Sequence, residues 1–287
     1  MKQLLFYDLD GTLSGKSYAI TEKNQWALAN AKEKGHKVFL CTGRPPISIY
    51  GDVEKISFDG MICCAGSYVF IHDQLIFENV IEKDLLKQVL HLFHQHDISY
   101  CLETKEGLYE TSRIHRFYIK NYYKKVKINR NLFRFLKARK KKEKHYRIED
   151  FDINKISVAK IEFITKNQND YLACLPFLEK YFHVVLFSQE NDSYVNGEII
   201  MRDCTKREGI LKVIDYFHED INHTVGFGDS MNDYQMLETV HTGIVYENAD
   251  KRLKELAQYT FQEPDQDGIY HIMRELDLCD EYKGVKR

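Results

Sequence analysis

Short apolar runs recur along the chain, and each ends in a burst of small or polar residues. The first, Leu4-Leu5-Phe6-Tyr7, is too short for a helix and reads as a strand buried on both faces, the pattern of a parallel sheet. It runs into Asp8-Leu9-Asp10-Gly11-Thr12-Leu13, which sets two carboxylates at the carboxyl end of the strand, where open α/β sheets place their ligands. Thr21 then caps a helix bearing Trp26, Leu28 and several alanines, which Gly35 closes. Lys37 to Cys41 forms a second buried strand and delivers Thr42-Gly43-Arg44 before Pro45 and Pro46 forbid regular structure. A third run, Met61 to Cys64, precedes Ala65-Gly66. Tyr68 to Ile71 and Leu75 to Phe77 then pair as a hairpin turning at His72-Asp73. Strand, helix, strand in this rhythm predicts parallel βαβ units.

From Glu82 the pattern changes. A helix over Asp84 to His94 precedes two strands, Ile98 to Leu102 and Gly107 to Thr111. A tyrosine- and lysine-rich stretch follows and runs into Phe133 to Arg147. Strands over Ile156 to Thr165, Phe182 to Phe187 and Tyr194 to Met201 surround a helix over Tyr171 to Lys180. The first rhythm resumes after Lys206: a helix over Glu208 to Phe217, a strand Thr224 to Gly228 feeding Asp229-Ser230-Met231-Asn232-Asp233, and another strand, Gly243 to Tyr246, before a helix opened by Glu247-Asn248-Ala249. The expected architecture is a doubly wound, Rossmann-like parallel α/β core built from 1–81 and 195–287. An α+β module over 82–194 is inserted into it.

Composition narrows the function classes. The 287 residues can bury a real core, and a net charge of -2 supplies no global field that would mark nucleic acid or membrane as the partner. No stretch has the uncharged length of a membrane span, and the start of the chain is interrupted by Asp8 too soon for a signal peptide. The 7 cysteines include no C-x-x-C pair, and their odd number argues for reduced thiols and a cytoplasmic setting.

The polar bursts suggest one chemistry. A carboxylate can attack phosphorus and carry the phosphoryl group as an aspartyl-phosphate. Repulsion between the two anions must then be offset. A Mg²⁺ ion on hard oxygen ligands such as Asp8 and Asp229 would offset it, as would the ammonium of Lys206. The Thr42 hydroxyl and the Gly43 amide suit a phosphoryl group, and Asp10 can protonate a leaving alcohol and then take a proton from water.

The order of these elements resembles the haloacid dehalogenase (HAD) superfamily phosphatases, specifically the Cof-type subfamily IIB with a C2B cap. DLDGTL stands at Asp8 to Leu13, CTGR at Cys41 to Arg44, the lysine at Lys206 and GFGDSMND at Gly226 to Asp233; Glu247-Asn248-Ala249 and Asp267-Gly268-Ile269 resemble closing motifs. The resemblance implies that Asp8 is the nucleophile and Asp10 the acid and base, and that Thr42 and Lys206 hold the phosphoryl group. It further implies that Asp8, Asp229 and the Asp10 carbonyl bind Mg²⁺, and that Asp233 orients Lys206 or a water on the metal. Gly43, Arg44 and Asn232 fall at phosphate or substrate contacts. Two positions depart from the family pattern: Ala65 stands where Asn is usual, and Arg207 where Gly usually follows the lysine.

Other features have plainer readings. His91, His94 and His96 share a helix face without an acidic or cysteine partner at ligand spacing and read as a solvated surface. The basic segment 134–147, with Arg139, Lys140, Lys141 and Lys142, has Phe133 and Phe135 beside it. It reads as a solvated helix or loop, and only secondarily as a nucleic-acid surface. The expected activity is therefore Mg²⁺-dependent hydrolysis of a phosphate monoester on a small soluble metabolite, such as a sugar phosphate. A phosphomutase, or an idle binding protein using segment 134–147, is the alternative.

Overall fold

The computed structural model describes residues 2–126, 130–188 and 193–284, without the side chains of 121–126, 130 and 131. Part of the tyrosine- and lysine-rich stretch thus lies outside the described residues. The chain opens with β1 (Leu4–Tyr7), α1 (Glu22–Glu33), β2 (Lys37–Cys41), β3 (Gly60–Cys63), β4 (Tyr68–Ile71) and β5 (Gln74–Glu78). Then come α2 (Lys83–Gln95), β6 (Ser99–Glu103), β7 (Leu108–Glu110), α3 (Ser112–Val126), α4 (Arg130–Lys142) and β8 (His145–Arg147). They are followed by β9 (Lys160–Thr165), α5 (Gln168–Tyr181), β10 (Phe182–Leu186) and β11 (Val195–Met201). The last third adds α6 (Lys206–Phe217), β12 (Thr224–Gly228), α7 (Tyr234–Thr239), β13 (Thr242–Tyr246), α8 (Lys251–Leu256), β14 (Tyr259–Phe261) and α9 (Gly268–Glu275).

Two compact units result: Met1–Arg44, Ile49–Glu78 and Thr205–Arg287 form one, and Pro45–Ser48 with Asn79–Cys204 form the other. The first unit holds an eight-stranded sheet in the order β14-β13-β12-β1-β2-β3-β4-β5, parallel from β14 to β3 and closed by the antiparallel pair β4 and β5. Its central strands are apolar throughout because both faces are covered. Leu5, Tyr7 and Leu40 pack with residues of α1 and α9, whereas Leu4, Phe6 and Phe39 pack with Ile210 and Val213 of α6. This is the doubly wound α/β core. Thr21 caps α1 by accepting from the Asn24 amide, and the β4–β5 hairpin turns on His72 and Asp73, both left-handed (φ 46° and 65°), the twist such hairpins favour.

The second unit carries a six-stranded sheet, β10-β11-β9-β6-β7-β8, antiparallel except for the β7–β8 pair. Leu102, Ile161, Phe163 and Ile199 on the sheet pack with Leu86, Val89 and Phe93 of α2 and Tyr171, Cys174 and Leu178 of α5. The unit extends past the bounds of 82–194 expected for it. Val195–Met201 pairs on both sides within this sheet, antiparallel to β9 and β10, so the return to the first unit falls at Thr205 and not at Val195. The strand expected from Ile156 begins at Lys160, and the helix expected from Glu247 begins at Lys251, capped by Asp250. His91 and His94 are exposed on α2 and belong to no three-residue group of ligand atoms among the described residues. The basic segment is helical to Lys142, with Lys140, Lys141 and Lys142 exposed.

Ala65 sits in the left-handed region (φ 54°, ψ 29°), next to Cys64 at φ 48°. A side chain there crowds its own carbonyl, at about 1 kcal/mol for an L residue and more for a β-branched one. Gly66 follows at φ +115°, where an added Cβ would collide with the Thr205 carbonyl oxygen. We expect Ala65→Gly to gain about 0.5–1 kcal/mol in urea unfolding and Ala65→Val to lose at least about 1 kcal/mol. Equal stability of the three proteins would contradict the left-handed assignment.

Candidate active site

The register of three parallel strands builds the site. Tyr7 pairs with Phe227 of β12 on one side and Leu40 of β2 on the other, so Asp8, Asp229 and Thr42 leave the sheet close together. The Asp8 amide still donates to the Phe227 carbonyl (2.9 Å), which keeps Asp8 in the ladder and its side chain buried. Gly11, at φ +98°, turns the chain back. A Cβ at that position would collide with the Asp229 carboxylate, so glycine is required for the loop to approach it. Thr12 then donates its hydroxyl to Asp229 Oδ1 at 2.9 Å.

Lys206, the first residue of α6, is 1% exposed. Its Nζ lies 2.5 Å from Asp8 Oδ1 and 2.5 Å from Asp233 Oδ1. Asp233 is fully buried, and its Oδ2 accepts from the backbone amides of Asp229 (2.9 Å) and Ser230 (3.1 Å). A Cβ at Gly228 would come within 2.6 Å of Asp233 Cβ, so the end of β12 is fitted to this carboxylate. Both oxygens of Asp233 are thus occupied, one by the lysine and one by the loop.

Burial opposes charge on Lys206, yet the carboxylates of Asp233 and Asp8 overcome it and hold the ammonium well above its usual range. Asp8 is pushed up by burial and then by the charge of Asp233, against the pull of Lys206. Asp229 is pushed up to about 6, chiefly by burial and by Asp233. Three acids share one buried cation, so the site has a surplus of negative charge.

The donors suit a hard divalent ion. Asp8, Asp229 and Asp233 bring carboxylate oxygens within 4.8 Å of one another. With Asp233 committed to Lys206 and the loop amides, Asp8 and Asp229 are the side chains open to such an ion.

The remaining predicted residues are placed as follows. Thr42 is buried, and its hydroxyl accepts from the Arg44 amide at 3.2 Å. A Cβ at Gly43 would meet no heavy atom within 4 Å, so open space adjoins that backbone. Arg44 lies on Asp10 and grips its carboxylate in two places, Nε to Oδ2 at 2.7 Å and Nη2 to Oδ1 at 2.5 Å. Asn232 is exposed and accepts from Ser230 Oγ at 2.8 Å, on the rim of the loop that carries Asp229. Arg207 is half-exposed and turns toward Glu238 at 4.0 Å, so the residue that departs from the family pattern leaves the start of α6 intact. The sequence motifs point to neither the Arg44–Asp10 clasp nor the Thr12 bond to Asp229.

A doubly wound parallel sheet with a second α+β unit inserted into it defines the fold of a HAD-type hydrolase. Residues 5–273 match the haloacid dehalogenase-like hydrolases, and the chain belongs to that family of enzymes. It is 25% identical to YkrA of Bacillus subtilis over 276 residues, spanning 96% of this chain and 98% of that one. To the pyridoxal phosphate phosphatase YbhA of Escherichia coli it is 22% identical over 273 residues, spanning 93% and 96%. Among solved structures, the HAD subclass IIB sugar phosphatase BT4131 superposes with a TM-score of 0.75 at 22% identity, covering 96% of this chain and all of that one.

The electrostatics make a pH prediction for the metal-free protein. An Asp229 carboxyl that titrates near 6 when folded and near 3.8 otherwise binds its proton more tightly in the folded state. Stability therefore falls as pH rises from 3.8 through about 6 and stays lower above that. Thermal unfolding in EDTA is expected to show this decline, with Asp229→Asn flattening it. An unchanged profile in the variant would assign the decline elsewhere.

Proposed function

We propose that the chain is a Mg²⁺-dependent phosphatase that hydrolyses phosphate monoesters of small soluble metabolites through a phosphoryl group carried on Asp8. The observation that carries this reading is the buried contact of Lys206 with Asp8, with Asp229 alongside and open space at Gly43. A buried carboxylate held beside an ammonium is a nucleophile placed where an anionic group is attracted.

In this reading Asp8 Oδ attacks phosphorus, the bond to the leaving oxygen breaks, and Asp10 donates a proton to that oxygen to release the alcohol. Asp10 then takes a proton from water as the water attacks phosphorus, which frees inorganic phosphate and restores the Asp8 carboxylate. Lys206 and the Thr42 hydroxyl hold the phosphoryl oxygens, Asp233 keeps Lys206 in place, and Arg44, which engages both Asp10 oxygens, releases one of them before Asp10 carries the proton. Asp8, Asp229 and the Asp10 carbonyl would hold Mg²⁺, which supplies positive charge against the repulsion between the Asp8 carboxylate and the phosphate dianion.

Two of the three similar proteins are named for unlike compounds, YbhA as a pyridoxal phosphate phosphatase and BT4131 as a sugar phosphatase. These names support a phosphorylated small metabolite as the substrate class, and we infer sugar phosphates as the first members to try. No helix among the described residues is long and apolar enough to cross a membrane. The cysteines are buried and free of disulfides, which accords with a reducing cytoplasm.

The test is phosphate release from a panel of sugar phosphates, nucleotides, cofactor phosphates and an aryl phosphate, in Mg²⁺ or EDTA. Release is expected to need Mg²⁺. Asp8→Asn is expected to reduce it to background, and Asp10→Asn to lower kcat by about 10²–10⁴-fold. Release that survives Asp8→Asn would overturn the role of Asp8, and release in EDTA would overturn the role of the ion.

A further inference from the structure

The second unit carries its own convergence of ligand-bearing side chains, which the reading above does not use. Glu110, the last residue of β7, has a buried side chain (5% exposed) whose Oε2 faces two imidazoles. His115 Nδ1 lies 2.6 Å from it and His145 Nδ1 lies 3.0 Å from it. His115 is in the first turn of α3, and His145 is the first residue of β8. The outer nitrogen of His145, Nε2, is 3.0 Å from Glu143 Oε2. Glu143 is in turn held by Arg139 Nε at 2.5 Å and by the Ser48 hydroxyl at 2.6 Å.

A neutral imidazole has one N–H and one lone pair, yet His145 meets a carboxylate at each nitrogen. With Nε2–H donated to Glu143, its Nδ1 lone pair faces an oxygen of Glu110. A positive centre must serve both atoms: a second proton on the ring, which the 3.0 Å separation fits as a hydrogen bond, or a metal ion seated beside the pair and bound to both. Three features favour a metal. Two imidazole nitrogens and a carboxylate oxygen, all within 4.8 Å of one another, converge from three separate elements. The outer nitrogen of one imidazole is oriented by a carboxylate that is itself pinned, the arrangement that fixes metal-bound histidines. The side chains of His115 and His145 are 44% and 28% exposed, which leaves an entry path to a buried acid.

We propose that Glu110, His115 and His145 form a second metal site, selective for a transition-metal dication of the Zn²⁺ type. Two nitrogens and one oxygen suit Zn²⁺ better than Mg²⁺, and three protein ligands leave a position for water. The site has a structural consequence. Glu110 and His115 lie where the chain enters α3, and Glu143 and His145 lie where it leaves α4. A metal there clips the base of the helical excursion that carries Lys140, Lys141 and Lys142.

The test uses the full chain, stripped with a chelator and held in excess Mg²⁺ so that the hard-oxygen site of the first unit is saturated. Zn²⁺ is titrated in competition with a chromophoric chelator, and Co²⁺ is added separately to read ligand geometry from its visible absorption. The expected result is one Zn²⁺ per chain, a four-coordinate Co²⁺ spectrum, and a Zn²⁺-induced rise in melting temperature. His115→Ala, at a half-exposed position, is expected to weaken Zn²⁺ binding by about 100-fold and abolish the rise. Glu143→Gln, which removes the outer charge that orients His145 and with it the Arg139 ion pair, is expected to cost about 10–100-fold. Equal Zn²⁺ binding by wild type and by a His115→Ala protein of native circular dichroism would overturn the site. So would wild type without a bound equivalent, and in that case a proton holds the cluster together.

Discussion

A lysine ammonium sealed from water dictates much of the local structure around the strand ends. Moving such a charge out of water costs several kcal/mol, and only close, well-aligned carboxylates return it. Lys206 has two, and each makes a further demand on the chain. Asp233 must be reached by glycine at 228 and must face the amides of Asp229 and Ser230, which shapes the whole loop after β12. Asp8 must be carried to the same point by a strand buried on both faces. Buried ion groups of this kind are often no more stable than an apolar group of the same volume, so folding energy alone gives little reason for this one.

The surplus of negative charge around that lysine links structure to reaction. An acid cluster that raises its own members' proton affinity is poorly arranged for a protein that binds no cation, and well arranged for one that does. The second unit solves a related problem differently. There the acids Glu110 and Glu143 face imidazoles and a guanidinium, which are softer or bulkier partners than an ammonium. The two clusters thus separate by donor type, oxygen in one and mixed nitrogen and oxygen in the other, and such donor sets suit different ions.

What the sequence reveals follows the distance over which each feature is decided. The buried strands β1, β2, β3 and β12 are readable because an unbroken apolar run is a local signal, and so are the acids that terminate them. The helix cap at Thr21 and the hairpin at His72-Asp73 are local as well. The bound between the units is less so: the rhythm groups Tyr194 to Met201 with the inserted strands while the expected core bound falls at 195, and the pairing of β11 with β9 and β10 decides it. The Arg44–Asp10 clasp joins residues 34 apart, and Glu110 meets His145 from 35 residues away. No spacing rule covers such partners, since each depends on where a loop returns.

The level ends of β1, β2 and β12 have an implication for how such an enzyme can change. The relative position of Asp8, Thr42 and Asp229 is a property of backbone pairing, and a slip of one residue would move an acid by about 3.3 Å and turn it to the opposite face of the sheet. The chain between Arg44 and Thr205 contributes only Ile49–Glu78 to that unit and otherwise departs and returns. Lengthening or replacing what lies between leaves the strand register untouched. The strand ends that set these residues and the second unit are therefore carried by different segments, and the second can vary in length or composition without moving Asp8.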